Sequence, residues 1–215
     1  MTELQERLLK YIAFHLDREL LLAVEDSVLS AYKAAHEDTE RRIKHTPKSR
    51  YRSQVRRYLI DESLAALGSR YRSQVQATEP RGEHYILLCS GNITLSHIEL
   101  HASSKPRAAK HRKLISLRNA VLEPQNFDFW KPSPPDLEDS LHVVATVIHP
   151  SPKDSAQQHP ALLSLTVPFT DWSGNHLDVP LQEVYPFFDM AEESNQVDTA
   201  WPSLKIALRK AEGRE

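Results

Sequence analysis

Apolar residues recur at every fourth position near the start of the chain. They would share one face of a helix: Leu4, Leu8, Ile12, Leu16, Leu20, Val24, Val28 and Tyr32. Thr2 precedes this stripe and Gln5 follows three residues later, which is the capping-box pattern of a helix N-terminus. No proline occurs before Pro47 and no glycine before Gly68, so no helix breaker interrupts the pattern. The pattern predicts one long helix or two abutting helices over roughly 3–44.

The heptad SRYRSQV occurs twice, at residues 49–55 and at residues 69–75. The first copy follows Pro47 and leads into an amphipathic pattern, which predicts a helix capped by Ser49 and ended by Gly68 in a left-handed conformation. The apolar face of that helix would carry core residues: Tyr51, Val55, Tyr58, Leu59 and Ala66. In the second copy apolar and polar residues alternate, which is the period of a strand. We therefore expect the same seven residues to be helical once and extended once.

Short apolar runs predict strands after the second heptad. Residues 85–89 and 93–101 flank the turn sequence Ser90-Gly91-Asn92, so they predict a β-hairpin with a tight turn. Residues 141–148 and 162–167 are rich in β-branched and apolar side chains, and they predict a second hairpin across a polar loop.

Helical signals in this half of the chain are shorter. One helix is predicted from Pro106 to about Leu122. Its apolar side would be Leu114, Leu117 and Val121. Residues 124–135 form a loop rich in proline and aromatic residues, residues 171–202 have no regular period, and residues 204–211 predict a short final helix.

Together these elements predict an α+β fold. Long N-terminal helices are followed by an antiparallel β-sheet of about five strands in hairpins, with one covering helix and a short C-terminal helix. The helical segment would cover residues 1–68 and the α+β domain residues 69–215, or the two would form one continuous domain. With 215 residues and 40% hydrophobic content, the chain is long enough to bury a core.

Cysteine content and hydropathy bear on the compartment. Cys89 is the only cysteine, so no disulfide can form within the chain, and its apolar neighbours suggest a small buried hydrophobe rather than a nucleophile. No apolar stretch is long enough to span a bilayer, and the start of the chain has no leader pattern. The sequence therefore predicts a cytoplasmic protein without a membrane partner.

The net charge of −2 conceals a strong segregation of charge along the chain. Residues 1–40 have a net charge of −5, residues 41–118 of +12, and residues 123–200 of −11. A basic middle between acidic ends points to nucleic acid, an anionic membrane surface or an acidic protein as the partner of the middle segment. Alternatively, the acidic C-terminal part packs on the basic part within the same molecule.

The basic middle contains the candidate phosphate contacts. Several cations in one field are needed to neutralise phosphates, and Tyr51, Tyr58 and Tyr71 could stack on single-stranded bases if they are not buried. A solvated helix face is the alternative for these cations. The candidate nucleic-acid-binding residues are Arg41, Arg42, Lys44, Lys48, Arg50, Arg52, Arg56, Arg70, Arg72, Arg107, Lys110, Arg112 and Lys113.

No pattern in the chain identifies a cofactor or a catalytic centre. His97, Glu99 and His101 would share one face of a strand, but the two histidines lie about 13 Å apart there, too far to share one metal ion. We therefore expect no metal site and interpret the three as an exposed or partner-facing polar row. His36-Glu37 has Glu40 where a metalloprotease needs a second histidine, and the nucleotide-binding and serine-hydrolase motifs are missing.

Three functions remain open from the sequence. The first is a non-enzymatic cytoplasmic binding module whose basic surface contacts RNA or DNA through phosphates, without a cofactor. The second is a protein-interaction component, such as an antitoxin or a regulatory subunit of a bacterial toxin–antitoxin or phage-defence operon, with a protein partner or a second copy of itself. The third is a metal-independent RNA-cleaving toxin, whose scattered residues only folding would bring together.

Overall fold

The computed structural model describes residues 1–78, 82–101, 104–123 and 140–191. Three helices open the chain: α1 at Glu3–His15, α2 at Arg18–Arg42 and α3 at Ser49–Ala66. The Thr2 side chain and the Gln5 side chain form the predicted capping box at the start of α1. Asp17 starts α2 in the same way, because its side chain accepts a hydrogen bond from the backbone N–H of Glu19. Of the two predicted alternatives, one long helix or two abutting helices, the structure has the second.

The leucine stripe of α1 and α2 is buried as predicted, apart from Leu4, which is half-buried. The buried face of α3 differs from the prediction, because it consists of Arg56, Ile60 and Leu64. Tyr58 is 69% exposed, so the prediction that it belongs to the core is wrong. The face was predicted from hydrophobicity alone. Because arginine is rarely buried, a face that includes the buried Arg56 could not be predicted in this way.

Both predicted ends of α3 need correction. Ser49 is the first helical residue, and Lys48 before it makes no side-chain capping hydrogen bond. Gly68 lies in a 3₁₀ turn, Leu67–Ser69, and not in a left-handed cap. A side chain at Gly68 would approach the Cβ of Ser73 to 3.1 Å, so close packing against the following strand accounts for the glycine.

Six strands form one sheet in the order in which they occur along the chain. They are β1 at Arg72–Ala77, β2 at His84–Ser90, β3 at Ile93–His101, β4 at Leu141–His149, β5 at Leu162–Pro168 and β6 at Asn175–Pro180. Four of the five pairings are antiparallel, and both predicted hairpins are present. The predicted α+β class is confirmed, with six strands in place of about five.

The pairing of β3 with β4 is parallel, which the prediction of an all-antiparallel sheet missed. A parallel pair needs a crossover connection, and the described part of that connection contains α4 at Lys110–Ser116 and a 3₁₀ helix at Leu117–Leu122. Of the predicted apolar side, Leu114 and Leu117 are 53% and 59% exposed, so the prediction is wrong for them, whereas Val121 is partly buried against the core. Its inward residues include Ser116 and Asn119, which hydrogen-bond to β4.

The chain after β5 is more regular than the sequence indicated. Residues predicted to be irregular include β6, a 3₁₀ turn at Leu181–Glu183 and a helix over 185–191. The loop predicted at residues 124–135 and the final helix predicted at residues 204–211 lie outside the described residues.

One apolar core contains residues from the N-terminal helices and from the sheet. On the sheet side it includes Leu95, Val143, Ala145, Val147 and Leu165, which point to the same face of their strands. The opposite face holds polar side chains and the crossover helix. No helix among the described residues is both long enough and apolar enough to cross a membrane.

The sheet divides where β2 and β3 separate. The turn that joins the two strands is tight, and Gly91 has a φ of 51° and approaches α1 so closely that a Cβ would lie 2.5 Å from the His15 carbonyl oxygen. Register between the strands extends only from Ser90 and Ile93 to Leu88 and Leu95. Beyond that pair, β2 continues with β1 and β3 continues with β4. A gap therefore opens within the sheet.

Candidate functional site

A polar cavity of about 510 Å³ occupies the gap between β2 and β3. Its walls come from both strands, from α3 on one side of the sheet and from the α4 region on the other. Cavities of this size accommodate ligands as large as a nucleotide. The polar residues that line it include Arg57, Asp61, His84, Tyr85, Ser96, His97, Glu99, Arg107, His111, Arg112, His142 and Trp172.

Arg57 bridges the two sides of the gap from α3. Its guanidinium lies 3.1 Å from the Glu83 carboxylate and 3.8 Å from the Asp61 carboxylate. It also lies 3.5 Å from the carbonyl oxygen of His84, at the start of β2. Two acidic neighbours hold the Arg57 side chain in place at the mouth of the cavity.

Arg112 enters the cavity from α4 with its charge uncompensated. Its guanidinium donates a hydrogen bond to the Arg107 carbonyl oxygen at 3.0 Å and lies over the Trp172 ring at 5.6 Å. No carboxylate among the described residues pairs with it. Burial, together with repulsion from Arg57 and Arg107, lowers the pKa of Arg112. Three guanidinium groups therefore share one positive field that could bind an anion.

His97 and Asp61 meet at the inner wall of the cavity. The His97 Nε2 atom lies 3.5 Å from the Asp61 Oδ1 atom, and the His97 side chain is only 9% exposed. Burial lowers the pKa of His97 to about 4, an effect that the nearby carboxyl does not overcome and that Arg57 and Arg112 strengthen. Burial also raises the pKa of Asp61. The imidazole is therefore neutral near pH 7 and able to accept a proton.

Glu99 lies two residues beyond His97 on the same face of β3. Its Oε2 atom lies 3.3 Å from the Arg56 Nε atom and 3.7 Å from the His149 Nε2 atom. Burial raises the pKa of Glu99 to about 7, against the opposing effect of Arg56. A carboxyl group with this pKa is present in both protonation states at neutral pH, which suits acid–base chemistry.

A buried network lies behind Glu99 and holds it. Arg56, which is 3% exposed, places its guanidinium 4.1 Å from the centre of the Tyr32 ring. The Tyr32 hydroxyl and the His149 Nδ1 atom are 2.6 Å apart, in hydrogen-bond contact. Burial lowers the pKa of His149 to about 3, so the ring is neutral and Nδ1 can accept a hydrogen bond from the Tyr32 hydroxyl. The helices α2 and α3 thus hold Glu99 in a defined position.

A second network supports the α4 side of the cavity. The Trp172 indole N–H donates to the Ser116 hydroxyl at 2.8 Å, and that hydroxyl lies 3.2 Å from the His142 Nδ1 atom. The His142 Nε2 atom lies 2.9 Å from the Ser96 hydroxyl. Burial lowers the pKa of His142 to about 3, which keeps the ring neutral within this chain of hydrogen bonds. Trp172 has a φ of 64°, unusual for a bulky residue, and the network holds it there.

Several polar atoms at the cavity have no hydrogen-bond partner among the described residues. They are Asp61 Oδ1, His97 Nδ1, Glu99 Oε2 and His111 Nδ1. Buried polar groups are almost always satisfied in native proteins, and exceptions concentrate at functional sites. These atoms share one cavity with two groups of strongly shifted pKa, His97 and Glu99, which makes it the candidate functional site.

The predicted basic residues do not form one continuous surface. At the corner between α2 and α3, acidic residues engage them: Arg41 and Arg42 bind Asp38, and Lys48 binds Glu40. These contacts hold the pKa of Asp38 far below its usual range. Lys44 donates to the Glu40 carbonyl oxygen at 2.6 Å. This corner therefore carries less net positive charge than its sequence implies.

Other members of the predicted set separate into buried and exposed groups. Arg56 is buried against Glu99 and cannot reach an external polyanion, so we remove it from the phosphate contacts. Arg52 is largely buried as well and donates to Gln157 at 2.8 Å. Arg107 and Arg112 line the cavity. The exposed remainder is Arg50, Arg70, Arg72, Lys110 and Lys113.

The structure corrects the interpretation of His97, Glu99 and His101 as an exposed polar row. Only His101 is exposed, whereas His97 and Glu99 point into the molecule toward α3. Sequence reasoning missed this because the partners, Asp61 and Arg56, lie far away along the chain. No group of three or more His, Cys, Asp or Glu side chains among the described residues is placed to hold a metal ion.

Three site residues outside the predicted set had weak signals in the sequence. Arg57 and Asp61 form an i, i+4 pair, which ordinarily indicates a surface ion pair. His142 is a polar residue within the apolar run of β4, where a buried strand would otherwise be continuous. These signals mark positions of interest and do not reveal that the residues converge.

No protein-family model matches this chain, and no curated protein or solved structure matches it either. The cavity combines an anion-binding field, from Arg57, Arg107 and Arg112, with a neutral imidazole and a carboxyl group that titrates near neutrality.

Proposed function

We propose that the protein binds nucleic acid through its phosphates, and that the cavity between β2 and β3 holds one of them. The observation that carries the proposal is the convergence of Arg57, Arg107 and Arg112 on one cavity, with Arg112 lacking a carboxylate partner among the described residues. Guanidinium groups form paired hydrogen bonds with phosphate oxygens, and mutual repulsion in the absence of a ligand favours the binding of an anion.

The surroundings of these arginines suit a nucleotide. The cavity volume of about 510 Å³ is within the range of nucleotide-sized sites. Trp172 and the stacked pair of Tyr85 and His111, with ring centres 4.9 Å apart, supply aromatic surfaces beside the positive charge. Aromatic rings next to a positively charged groove are the usual means of binding single-stranded nucleic acid without sequence preference.

The exposed lysines of α4 extend this positive field beyond the cavity. Lys110 and Lys113 lie on the same helix as Arg112 and are exposed. They would contact further phosphates of a strand that enters the cavity, and such contacts raise affinity without reading sequence. The single cysteine of the chain supports a reducing, cytoplasmic setting for this binding.

The test is a binding titration with a fluorescently labelled single-stranded oligonucleotide at several salt concentrations. We expect the double variant Arg107→Gln/Arg112→Gln to bind at least about tenfold more weakly and to lower the slope of log K against log salt by about 2. The matched control, Arg41→Gln/Arg42→Gln, removes the same charge from side chains already engaged by Asp38. It should change the dissociation constant by less than about threefold.

Two outcomes would contradict the proposal. If the control weakens binding as much as the cavity variant, the affinity comes from diffuse charge and not from the cavity. If the wild-type protein fails to bind at low salt, nucleic acid is not the ligand, and the protein-interaction alternative takes its place.

A further inference from the structure

We propose, resting on the function proposed above, that this cavity cleaves single-stranded RNA, with His97 as general base, Glu99 as general acid and Arg57 and Arg112 binding the reacting phosphate. All four side chains line the same cavity. They come from three elements, since His97 and Glu99 lie on β3, Arg57 on α3 and Arg112 on α4.

His97 is held in the orientation that a general base requires. Its Nε2 atom faces Asp61 at 3.5 Å, while its Nδ1 atom is buried without a hydrogen-bond partner among the described residues. A carboxyl group beside one ring nitrogen fixes the ring and leaves the other nitrogen without a competing hydrogen bond from the described residues. Because burial lowers the pKa of His97 to about 4, the ring is unprotonated and ready to accept a proton at neutral pH.

Glu99 lies beside His97 on the same face of β3 and supplies the second group of the acid–base pair. It is two residues from His97 along an extended strand, which separates their Cα atoms by about 7 Å and points both side chains to one face. In-line displacement at phosphorus needs a base and an acid on opposite sides, so two groups at this separation can flank one phosphate. With a pKa raised to about 7 by burial, Glu99 keeps a proton to donate near neutral pH.

The chemical step uses only groups of the protein and of the RNA. The 2′-hydroxyl oxygen attacks phosphorus, and its proton moves to His97 Nδ1. The bond between phosphorus and the 5′-oxygen breaks, and the Glu99 carboxyl protonates that oxygen as it leaves. The products are a 2′,3′-cyclic phosphate and a 5′-hydroxyl, and proton exchange with water restores both side chains.

The arginines would stabilise the charge that develops during this step. Phosphorus gains a fifth oxygen in the transition state, and the negative charge on its equatorial oxygens increases. Arg112 has no competing carboxylate among the described residues, and Arg57 is fixed by Asp61 and Glu83. Fixed donors of this kind, aimed at developing charge, are the largest source of catalysis in many enzymes.

The experiment compares cleavage with binding in the same full-length protein. A labelled single-stranded RNA is incubated with the protein in the presence of a chelator, and the product ends are identified by mass spectrometry. The same sequence with 2′-O-methyl groups cannot be cleaved by this route, so its binding tests the proposed function separately. We expect cleavage of the RNA to cyclic-phosphate ends, and binding without cleavage for the methylated strand.

Two variants test the assigned roles. His97→Ala and Glu99→Gln should each lower the cleavage rate by about 100-fold or more while the methylated RNA still binds. The matched control is Glu62→Gln, because Glu62 is an exposed residue of α3 away from the cavity, and it should cleave at the wild-type rate. Thermal denaturation of each variant identifies any that fails to fold.

The pH profile of the wild-type protein is an independent check that needs no variant. The rate should stay level between about pH 4 and pH 7 and fall about tenfold per unit above pH 7, as Glu99 loses its proton. Binding of methylated RNA without cleavage of the natural strand would overturn this inference and leave the proposed function standing. Equal cleavage by the wild type and both variants would overturn it as well, since the activity would then come from elsewhere.

Discussion

The heptad at residues 49–55 forms the first turns of α3, whereas the identical heptad at residues 69–75 leaves a 3₁₀ turn and enters the edge strand β1. In the helical copy Tyr51 donates to Asp38 at 2.7 Å. In the extended copy Val75 is exposed and pairs through its backbone with β2. Identical local sequence therefore gives opposite conformations within one molecule.

The residues that follow each copy account for the difference. Serine, tyrosine and valine are weak helix formers, so the heptad alone has little preference for a helix. After the first copy, Arg56, Ile60 and Leu64 recur at helical spacing and are buried against the core. After the second copy, Gln76 and Ala77 continue the pairing with β2. Long-range contacts, and not the heptad, select the conformation.

The largest effect is expected from the residue directly after each copy. Arg56→Ala leaves the buried Glu99 without its cation, and the free energy of unfolding should fall by about 3–5 kcal/mol. Gln76→Ala, at the equivalent position after the extended copy, loses the hydrogen bond from the Tyr85 hydroxyl and should cost about 1 kcal/mol. Urea denaturation of both variants measures the contrast. Similar losses in the two variants would show that the flanking residue does not determine which copy is helical.

A smaller effect is expected from a matched arginine within the copies. Arg52 donates to Gln157 and lies 3.6 Å from Glu40, so Arg52→Ala should cost about 1.5–3 kcal/mol. Arg72, the same position in the second copy, is exposed, and Arg72→Ala should change the free energy of unfolding by less than about 0.5 kcal/mol. The comparison uses the same denaturation measurement. An equal cost at both positions would mean that the Arg52 contacts contribute nothing to stability.

The smallest effect is a dependence of the Arg56→Ala cost on pH. In the folded wild type the pKa of Glu99 is raised from 4.5 to about 7. Protonated Glu99 therefore stabilises the fold at low pH, and this contribution is lost as the pH rises from about 4.5 to about 7. Arg56 lowers this pKa, and removing it should extend the loss above pH 7 at about 1.4 kcal/mol per pH unit. The cost of Gln76→Ala should stay constant over the same range. A constant cost of Arg56→Ala would show that Glu99 does not titrate in this window.

Sequence periodicity predicted the elements that bury an apolar face. The stripe ending at Tyr32 packs on the apolar core, and its prediction is confirmed. The alternation in the second heptad correctly predicted a strand, although Val75 is exposed and β1 is held by backbone pairing with β2. The apolar side of α4 was wrong because the position toward the sheet is polar. Asn119 accepts a hydrogen bond from the backbone N–H of His142 at 2.8 Å and donates to its carbonyl oxygen at 3.0 Å, in the manner of a neighbouring strand.

The candidate site was only partly accessible from the sequence. Arg107 and Arg112 belonged to the predicted basic set, because local charge density identified them. The ion pair of Glu99 with Arg56 joins residues that are distant along the chain, and no local sequence pattern predicts it. The gap follows from the short pairing of β2 with β3, which ends at Leu88 and Leu95, and no local pattern specifies where that pairing ends.

The separation of β2 from β3 also has a mechanical consequence. The two-stranded arm of β1 and β2 is joined to the remaining four strands by only three residue pairs next to the hairpin turn. His84 lies four residues beyond the last of these pairs, about 14 Å along the strand. A small rotation of the arm about the turn therefore displaces His84, at the far end of β2, more than the residues next to the turn. The width of the gap, and so the strength with which it holds a ligand, would depend on how easily the three β2–β3 residue pairs bend and on the contacts of α3 with β1 and β2.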